Sequence, residues 1–306
     1  MNIEKLKGLI AAPFTPMHKD GSINPDKIKE YYTFLKRNKV IGAFINGSTG
    51  EGVSQTSDEK KAVVKAWAEA TKDDEEFKVI TLTGGTSVEE AIDQAKYAQE
   101  QGIFGISLTS PFYFKPADVK QLALTCKAVA DAVPEMPFYY YHIPVLTGST
   151  ISMFDLLQEI DGKINNFAGI KYTHEDFMDF LSCLNFKEGK YDMLWGRDEN
   201  MLPALALGNK GAVGSTYNYA APLYYDMIDA FEKGDLKEAN KLQQKSIDMI
   251  RLLGKYGGIA TGKAFMKLVG VDCGEFRLPV KNMSAEQFEA FKKDVAGLDF
   301  DRFKSK

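Results

Sequence analysis

The feature that most constrains this chain is an alternation of short apolar runs with stretches of helical periodicity. Several of the runs show no alternation of apolar and polar residues, which is typical of strands buried on both faces of a parallel sheet. Within the 306 residues, the apolar runs occupy positions 6–13, 42–45, 79–83, 105–109, 137–141, 167–171, 193–195 and 212–214.

The segments between the runs carry the signals of helices. Asn24 followed by Pro25 indicates a helix N-terminus, and Ser87 with Glu90 has the spacing of a capping box. Cys126 lies in an apolar stripe at helical spacing. That placement predicts a core residue and not a nucleophile.

Eight strands that alternate with helices predict an α/β fold of the (β/α)8 TIM-barrel class. A doubly wound sheet is the alternative, but no G-x-G-x-x-G motif follows the first run. We expect residues 1–220 to form the barrel and residues 221–306 to add C-terminal helices packed on it, the two parts making one structural unit. Helical patterns in this appendix cover positions 223–231, 236–253 and 285–295.

Composition argues against several classes of function. The formal net charge is −4 and the pI is about 5.6, which disfavours nucleic acid or an anionic membrane as a partner. No apolar run has the length of a signal peptide or a membrane span. Three cysteines and three histidines, widely spaced, disfavour a disulfide framework or a metal site. We therefore expect a cytoplasmic protein without a metal that acts on a small molecule.

In a barrel of this class the chemistry lies where the strands end. Lys171 closes the sixth run, where burial would lower the pKa of the amine and favour the neutral form that attacks a ketone. A lysine that reaches solvent at the strand end is the alternative. Tyr141 closes the fifth run, and its phenol could act as a general acid or base. A core tyrosine with a satisfied hydroxyl is the commoner fate of such a residue.

Polar residues follow two further runs. Residues 47–51, GSTGE, follow the second run, and their backbone N–H groups with the hydroxyls of Ser48 and Thr49 suit a carboxylate or a phosphate. A plain turn explains the same residues. Asp198 and Glu199 follow the seventh run and could accept hydrogen bonds from sugar hydroxyls. They could equally form the acidic first turn of a helix.

Taken together, the motifs at the strand ends resemble those of the dihydrodipicolinate synthase/N-acetylneuraminate lyase superfamily. The motifs occur in order, and the resemblance runs from Leu6 to the C-terminal helices. It implies a (β/α)8 barrel that acts as a class I aldolase, forming a Schiff base with its substrate and needing no cofactor. The motifs are GSTGEG, YYYHIPVLTG, GIKYT, WGRDE and GAVGSTYN.

The resemblance also implies a role for each residue at the strand ends. Lys171 would form the Schiff base, and Tyr141 would move the proton of the substrate C4 hydroxyl. Ser48 and Thr49 would hold the carboxylate of the pyruvate moiety. The pocket for the sugar portion would be lined by Thr173, Gly196, Asp198, Glu199 and Ser215.

Tyr113 is a further candidate catalytic residue on the same grounds. It matches a tyrosine that members of the superfamily lend across a subunit interface. Because the superfamily is usually tetrameric, the resemblance implies a homotetramer in which Tyr113 contributes to a neighbouring site.

The loop after Tyr141 separates two branches of the superfamily. The synthase branch typically carries an arginine there, which binds the carboxylate of its aldehyde substrate, and Leu146 stands in its place. A leucine cannot form that bidentate pair. With His142 in place of the common asparagine, the resemblance is to the lyase branch, which cleaves sialic acid to N-acetylmannosamine and pyruvate. A pyruvate aldolase acting on another 2-keto-3-deoxy sugar acid is the alternative. A non-catalytic sugar-acid sensor is disfavoured, since Lys171 and Tyr141 are both present.

Overall fold

The structure is a computed structural model that describes residues 3–306. Its eight strands pair in parallel, in chain order, and the eighth closes the barrel against the first. The predicted (β/α)8 barrel is therefore confirmed. The strands are β1 (Gly8–Ala11), β2 (Gly42–Ile45), β3 (Lys78–Leu82), β4 (Gly105–Thr109), β5 (Phe138–His142), β6 (Phe167–Tyr172), β7 (Asp192–Trp195) and β8 (Gly211–Gly214).

A helix follows each strand and covers the outside of the barrel. Among residues 3–306, no helix has both the length and the apolar character needed to cross a membrane. The covering helices are α1 (Ile28–Arg37), α2 (Ser57–Thr71), α3 (Val88–Glu100), α4 (Val119–Ala130), the single turn α5 (Pro144–Thr147) with α6 (Met153–Ile160), α7 (Phe177–Asn185), α8 (Met201–Ala206) and α9 (Tyr217–Glu232). Short 3₁₀ turns lie at Pro25–Lys27, Gly52–Ser54, Asp198–Asn200 and Phe300–Arg302.

Local sequence signals act largely as predicted. The Ser87 hydroxyl accepts the N–H of Glu90 at 3.2 Å and caps α3. Pro25 begins a 3₁₀ turn that leads into α1, and the Asn24 side chain makes no capping bond there. Cys126 is fully buried in the core, as the apolar stripe of α4 predicts.

The C-terminal part contains three helices beyond α9. They are α10 (Leu236–Lys255), α11 (Ala260–Leu268) and α12 (Ala285–Gly297), of which α11 lies outside the helical patterns identified in the sequence. The expected boundary between residues 220 and 221 falls inside α9, at a kink where Ala220 has φ −141°. Because α9 contacts both β1 and β8, it is the eighth helix of the barrel as well as the base on which α10 packs.

Side chains that point into the barrel fill its interior. Alternation along β5 turns Tyr139 and Tyr141 inward and Tyr140 outward against the helices, as predicted. The inward side chains form a core of their own, separate from the larger layer between barrel and helices. This interior core contains Leu6, Ile10, Ala12, Phe44, Ile80, Leu82, Tyr139, Tyr141, Ile143, Ala168, Leu194 and Val213.

Candidate active site

Lys171 lies inside the barrel, near the carboxyl end of β6. In the sheet register it stands beside Tyr141 of β5 on one side and Leu194 of β7 on the other. Its side chain is buried and does not reach solvent, being only 4% exposed. The Nζ atom lies 3.9 Å from the centroid of the Phe44 ring and 4.0 Å from that of Tyr141. Aromatic rings from β2 and β5 thus enclose the amine.

The surroundings of Lys171 change its protonation. Burial lowers the pKa of the amine to about 7, and the negative charge of Asp198 opposes part of that effect. Near pH 7 about half of the amines are then neutral, against roughly one in three thousand at the ordinary lysine pKa. The site therefore holds a nucleophilic amine at neutral pH.

Tyr141 brings a phenol to the same end of the barrel. Its ring packs edge to face against Phe44, with the centroids 5.4 Å apart. Burial raises the pKa of the phenol to about 12, and the hydroxyls of Ser48 and Thr173 exert a smaller opposite effect. The phenol is therefore protonated at neutral pH and has two hydroxyl groups as neighbours, each from a predicted site residue.

Residues 47–51 form a turn after β2 that is held from behind. Thr49 is buried and Ser48 half-buried. The carbonyl of Gly50 accepts a hydrogen bond of 2.6 Å from the Thr15 hydroxyl and another of 2.6 Å from the Gln55 amide. These bonds fix the backbone on which Ser48 and Thr49 are carried.

Glu51 anchors the same turn to the C-terminal part of the chain. It has a left-handed conformation, with φ 58°, and forms a 2.8 Å ion pair with Lys263 of α11 in which both side chains are at most 3% exposed. Its second oxygen accepts the backbone N–H of Arg277 at 2.9 Å. Sequence reasoning missed this anchor, because the partners lie 212 residues apart. A lysine on the apolar face of α11 was the available signal.

Asp198 begins the 3₁₀ turn that follows β7 and is 5% exposed. Its Oδ2 accepts two hydrogen bonds from Thr216, one from the backbone N–H at 2.9 Å and one from the hydroxyl at 2.6 Å. Its Oδ1 is buried and has no hydrogen-bond partner among the described residues. Burial raises the pKa of the carboxyl to about 6, and the bonds from Thr216 oppose the rise. Above that pH Asp198 is an anion, and the Tyr217 hydroxyl is a further neighbour that lowers its pKa.

Two glycines make room for these polar groups. A Cβ on Gly214 at the end of β8 would overlap the Asp198 carboxylate, and a Cβ on Gly196 would overlap the hydroxyl of Thr173. The Thr173 hydroxyl oxygen is buried without a partner within residues 3–306. Gly196 was predicted as a site residue, whereas Gly214 was not. Only the folded barrel, in which the turn after β7 packs against the end of β8, shows that position 214 has no room for a side chain.

Glu199 is held by a cation that sequence reasoning also missed. Its Oε1 lies 2.7 Å from Nη2 of Arg197, which is also 2.9 Å from Glu175. Glu199 is half-buried, so it stands at the rim of the site and not in its interior. Ser215, at the end of β8, is likewise half-buried.

The residues that follow β4 and β5 differ in exposure. Tyr113 is 78% exposed, and its ring packs edge to face against Phe114, which is 86% exposed. The structure therefore does not enclose Tyr113 with the other predicted site residues. His142 is buried, and burial together with the charge of His174 lowers the pKa of its imidazole to about 4. Leu146 is 61% exposed.

Comparison with known proteins shows which family this chain belongs to. The chain matches the model of the Dihydrodipicolinate synthetase family over residues 5–297. The N-acetylneuraminate lyase of Pongo abelii is 40% identical over 97% of this chain and 94% of that protein. The N-acetylneuraminate lyase of Homo sapiens is 39% identical over the same shares of the two chains.

Solved structures give the same grouping. The Proteus mirabilis N-acetylneuraminate lyase has a TM-score of 0.94 at 38% identity and covers 97% of this chain and 100% of its own. A Bacillus anthracis dihydrodipicolinate synthase has a TM-score of 0.88 at 26% identity and covers 95% of this chain and 97% of its own. This chain is thus more similar to that lyase than to that synthase.

Proposed function

Since this chain belongs to the dihydrodipicolinate synthetase family, we propose that it catalyses the N-acetylneuraminate lyase reaction, the retro-aldol cleavage of N-acetylneuraminate to N-acetylmannosamine and pyruvate. The enzyme is a carbon–carbon lyase. The observation that carries the proposal is the buried amine of Lys171, enclosed by Phe44 and Tyr141 with its pKa lowered to about 7. Such an amine suits Schiff-base chemistry at neutral pH.

The first stage of the proposed mechanism forms the imine. The open-chain keto acid binds with its carboxylate on Ser48 and Thr49. The neutral amine of Lys171 attacks the C2 ketone to give a carbinolamine. The Tyr141 phenol donates its proton to the carbinolamine hydroxyl, which leaves as water, so that a protonated imine and the Tyr141 phenolate remain. This imine supplies the electron sink that a metal ion supplies in other aldolases, so no cofactor is required.

The second stage breaks the C3–C4 bond. Tyr141 takes the proton of the C4 hydroxyl, and the bonding electrons move into the imine to form an enamine while N-acetylmannosamine leaves. Burial holds the phenol pKa at about 12 in the free enzyme. The positive charge of the imine, formed beside the ring, favours the phenolate and so helps Tyr141 to accept that proton. Protonation of the enamine at C3 and hydrolysis then release pyruvate.

The sugar portion is assigned to the polar residues around the rim. The free Oδ1 of Asp198 and the free hydroxyl of Thr173 are buried acceptors with no protein partner within residues 3–306. A buried polar atom without a partner is costly, and a substrate hydroxyl would remove that cost. Glu199, Gly196 and Ser215 complete the proposed pocket.

We further propose that the enzyme is a cytoplasmic homotetramer in which Tyr113 contributes to a neighbouring site. Three unpaired cysteines support a reducing compartment. Exposed apolar side chains in the loop after β4 and in α5 support an interface, since clustered apolar side chains on a surface mark contacts with other chains. These side chains are Phe112, Tyr113, Phe114, Val145 and Leu146.

The deciding experiment is pyruvate release from N-acetylneuraminate, followed with a coupled dehydrogenase. The wild type should turn over, and Lys171→Met, which keeps the apolar stem and removes the nucleophile, should lose more than about a thousandfold in kcat. Borohydride reduction with pyruvate should label Lys171 in the wild type only.

Two results would count against the proposal. Turnover retained in Lys171→Met would show that Lys171 does not form the Schiff base. A higher kcat/KM for another 2-keto-3-deoxy sugar acid in a substrate panel would assign the enzyme to the alternative aldolase reaction.

A further inference from the structure

A chain of buried hydroxyl groups connects the Asp198 carboxylate to helix α10. The Thr216 hydroxyl lies 2.6 Å from Asp198 Oδ2 and 2.6 Å from the Tyr224 hydroxyl. The Tyr224 hydroxyl lies 2.7 Å from that of Ser246, which is 3.3 Å from the backbone carbonyl of Asp198. All four residues are at most 5% exposed.

The hydroxyl protons of this hydrogen-bonded series all point toward the Asp198 carboxylate. A hydroxyl carries one proton, and an ionised carboxylate only accepts. The Thr216 proton therefore goes to Asp198, which leaves Thr216 to accept from Tyr224 and Tyr224 to accept from Ser246. Because Ser246 has one proton, its 3.3 Å approach to the Asp198 carbonyl is then a contact without a hydrogen bond. Hydrogen bonds aligned in this way polarise one another and strengthen the terminal bond to the carboxylate.

Helix α10 also holds the backbone that carries Asp198. Gln243, one turn before Ser246, donates from Nε2 to the carbonyl of Asp198 at 3.3 Å. Its Oε1 accepts the backbone N–H of Leu202 at 2.8 Å. Residues three apart on a helix share a face, so the face of α10 that carries Ser246 also supplies the Gln243 amide that holds the 3₁₀ turn beginning at Asp198.

We propose that Tyr224 and Ser246 are positioning residues for Asp198. They keep Thr216 bonded to Oδ2 and so fix the orientation of the carboxylate that is assigned to the sugar portion. Helix α10, which lies outside the barrel, thereby sets the affinity of the site for that portion. The inference rests on the proposed lyase function, and it concerns residues that touch no reacting atom.

The chain offers a matched pair of variants to test this role. Tyr224→Phe removes the hydroxyl that links Ser246 to Thr216 and keeps the ring in the core. Tyr225→Phe is the control, because the Tyr225 hydroxyl donates to the carbonyl of Lys39, away from Asp198. Two readouts separate the sugar portion from the pyruvate portion. One is KM and kcat for N-acetylneuraminate, and the other is the rate at which borohydride traps pyruvate on Lys171.

Tyr224→Phe should raise KM for N-acetylneuraminate about tenfold, the scale of a buried hydroxyl left without its hydrogen-bond partner. It should leave the rate of pyruvate trapping within about twofold, since pyruvate has no sugar portion. Tyr225→Phe should leave both within the same limit. An equal loss in both readouts for Tyr224→Phe would reveal a merely structural role and overturn the proposal, as would no change in either.

A second pair keeps the test open if Tyr224→Phe does not fold. Thr216→Ser retains the hydroxyl that accepts from Tyr224 and donates to Asp198. Thr216→Val removes that hydroxyl at nearly constant volume. Only Thr216→Val should raise KM for N-acetylneuraminate, and equal values in the two variants would overturn the proposal. Absence of turnover in the wild type would overturn the proposed function and this inference with it. Wild-type turnover with no difference between the variants would overturn the inference alone.

Discussion

Burial and the charge of Asp198 have opposite effects on the pKa of the Lys171 amine. Burial between Phe44 and Tyr141 disfavours the cation and lowers the pKa, whereas the negative charge of Asp198 raises it. Burial is the larger effect, so the amine titrates near pH 7. The neutral fraction, and with it the rate of the proposed imine formation, should therefore rise with pH through this value.

This balance predicts the effect of removing the charge. Asp198→Asn abolishes the influence that raises the pKa of Lys171, so the rate of pyruvate trapping should begin to rise at a lower pH than in the wild type. The measurement is that rate as a function of pH, with the reduced adduct quantified by mass spectrometry. Pyruvate alone is used so that the loss of sugar contacts does not enter.

A second buried carboxylate supplies the control. Asp192, the first residue of β7, is 3% exposed and accepts hydrogen bonds from Leu6 and Tyr139 at the other end of the barrel. Asp192→Asn should leave the pH dependence of trapping where it is in the wild type. A shift of the Asp198→Asn profile to higher pH, or the same shift in both variants, would refute the assigned balance.

At the scale of elements, the turn of residues 47–51 depends on a helix from the far end of the chain. Glu51 and Lys263 are both buried, and each neutralises the other. Lys263 also donates to the carbonyl of Glu275 at 2.9 Å, which ties α11 and the segment after it to the turn. The backbone that presents Ser48 and Thr49 is thus supported by residues outside the barrel strands.

Breaking this pair should be costly. Lys263→Met leaves Glu51 buried without a counter-charge and should lower the free energy of unfolding by about 3–5 kcal/mol. The double variant Glu51→Gln/Lys263→Met should lose less, because no unpaired charge remains. Chemical denaturation followed by circular dichroism measures both values.

Lys267→Met, one turn later on α11, is the matched control. Lys267 is 37% exposed and its nearest carboxylate, that of Asp272, is 4.0 Å away. An exposed pair of this kind contributes less than about 1 kcal/mol. If Lys263→Met cost no more than Lys267→Met, the ion pair would not be what holds the turn.

At the scale of the whole molecule, the C-terminal helices contact both the barrel and residues near its strand ends. Helix α9 closes the barrel and also carries α10, and α10 and α11 each reach residues near the strand ends. Together they place support for Asp198 and Glu51 outside the barrel. We therefore propose that the parts of the chain before and after residue 220 make one functional unit.

The proposed assembly can be tested at two equally exposed apolar side chains. Phe114 is 86% exposed and Leu278 is 89% exposed. Phe114→Asp should reduce the molecular mass in sedimentation velocity and lower lyase activity, because a charge would disrupt the proposed interface next to Tyr113. Leu278→Asp should change neither. A tetramer that survives Phe114→Asp unaltered would exclude this loop from the interface.

Much of the fold and the centre of the candidate site could be predicted from the sequence alone. Strands covered on both faces leave continuous apolar runs, and a parallel order brings their carboxyl ends together. For that reason Lys171 and Tyr141, each closing or nearly closing a strand, could be assigned to one end of the barrel before their contacts were known. The register places them side by side.

Other features were decided only by the tertiary structure. The pair of Glu51 with Lys263, and the chain from Asp198 to Ser246, join positions that no local pattern relates. Gly214 matters only because the Asp198 carboxylate, from the turn after β7, fills the space of its missing side chain. A pKa near 7 for Lys171 likewise depends on how completely the folded chain excludes water from the amine. Sequence periodicity reports which face of an element is buried, but not which distant group lies against it.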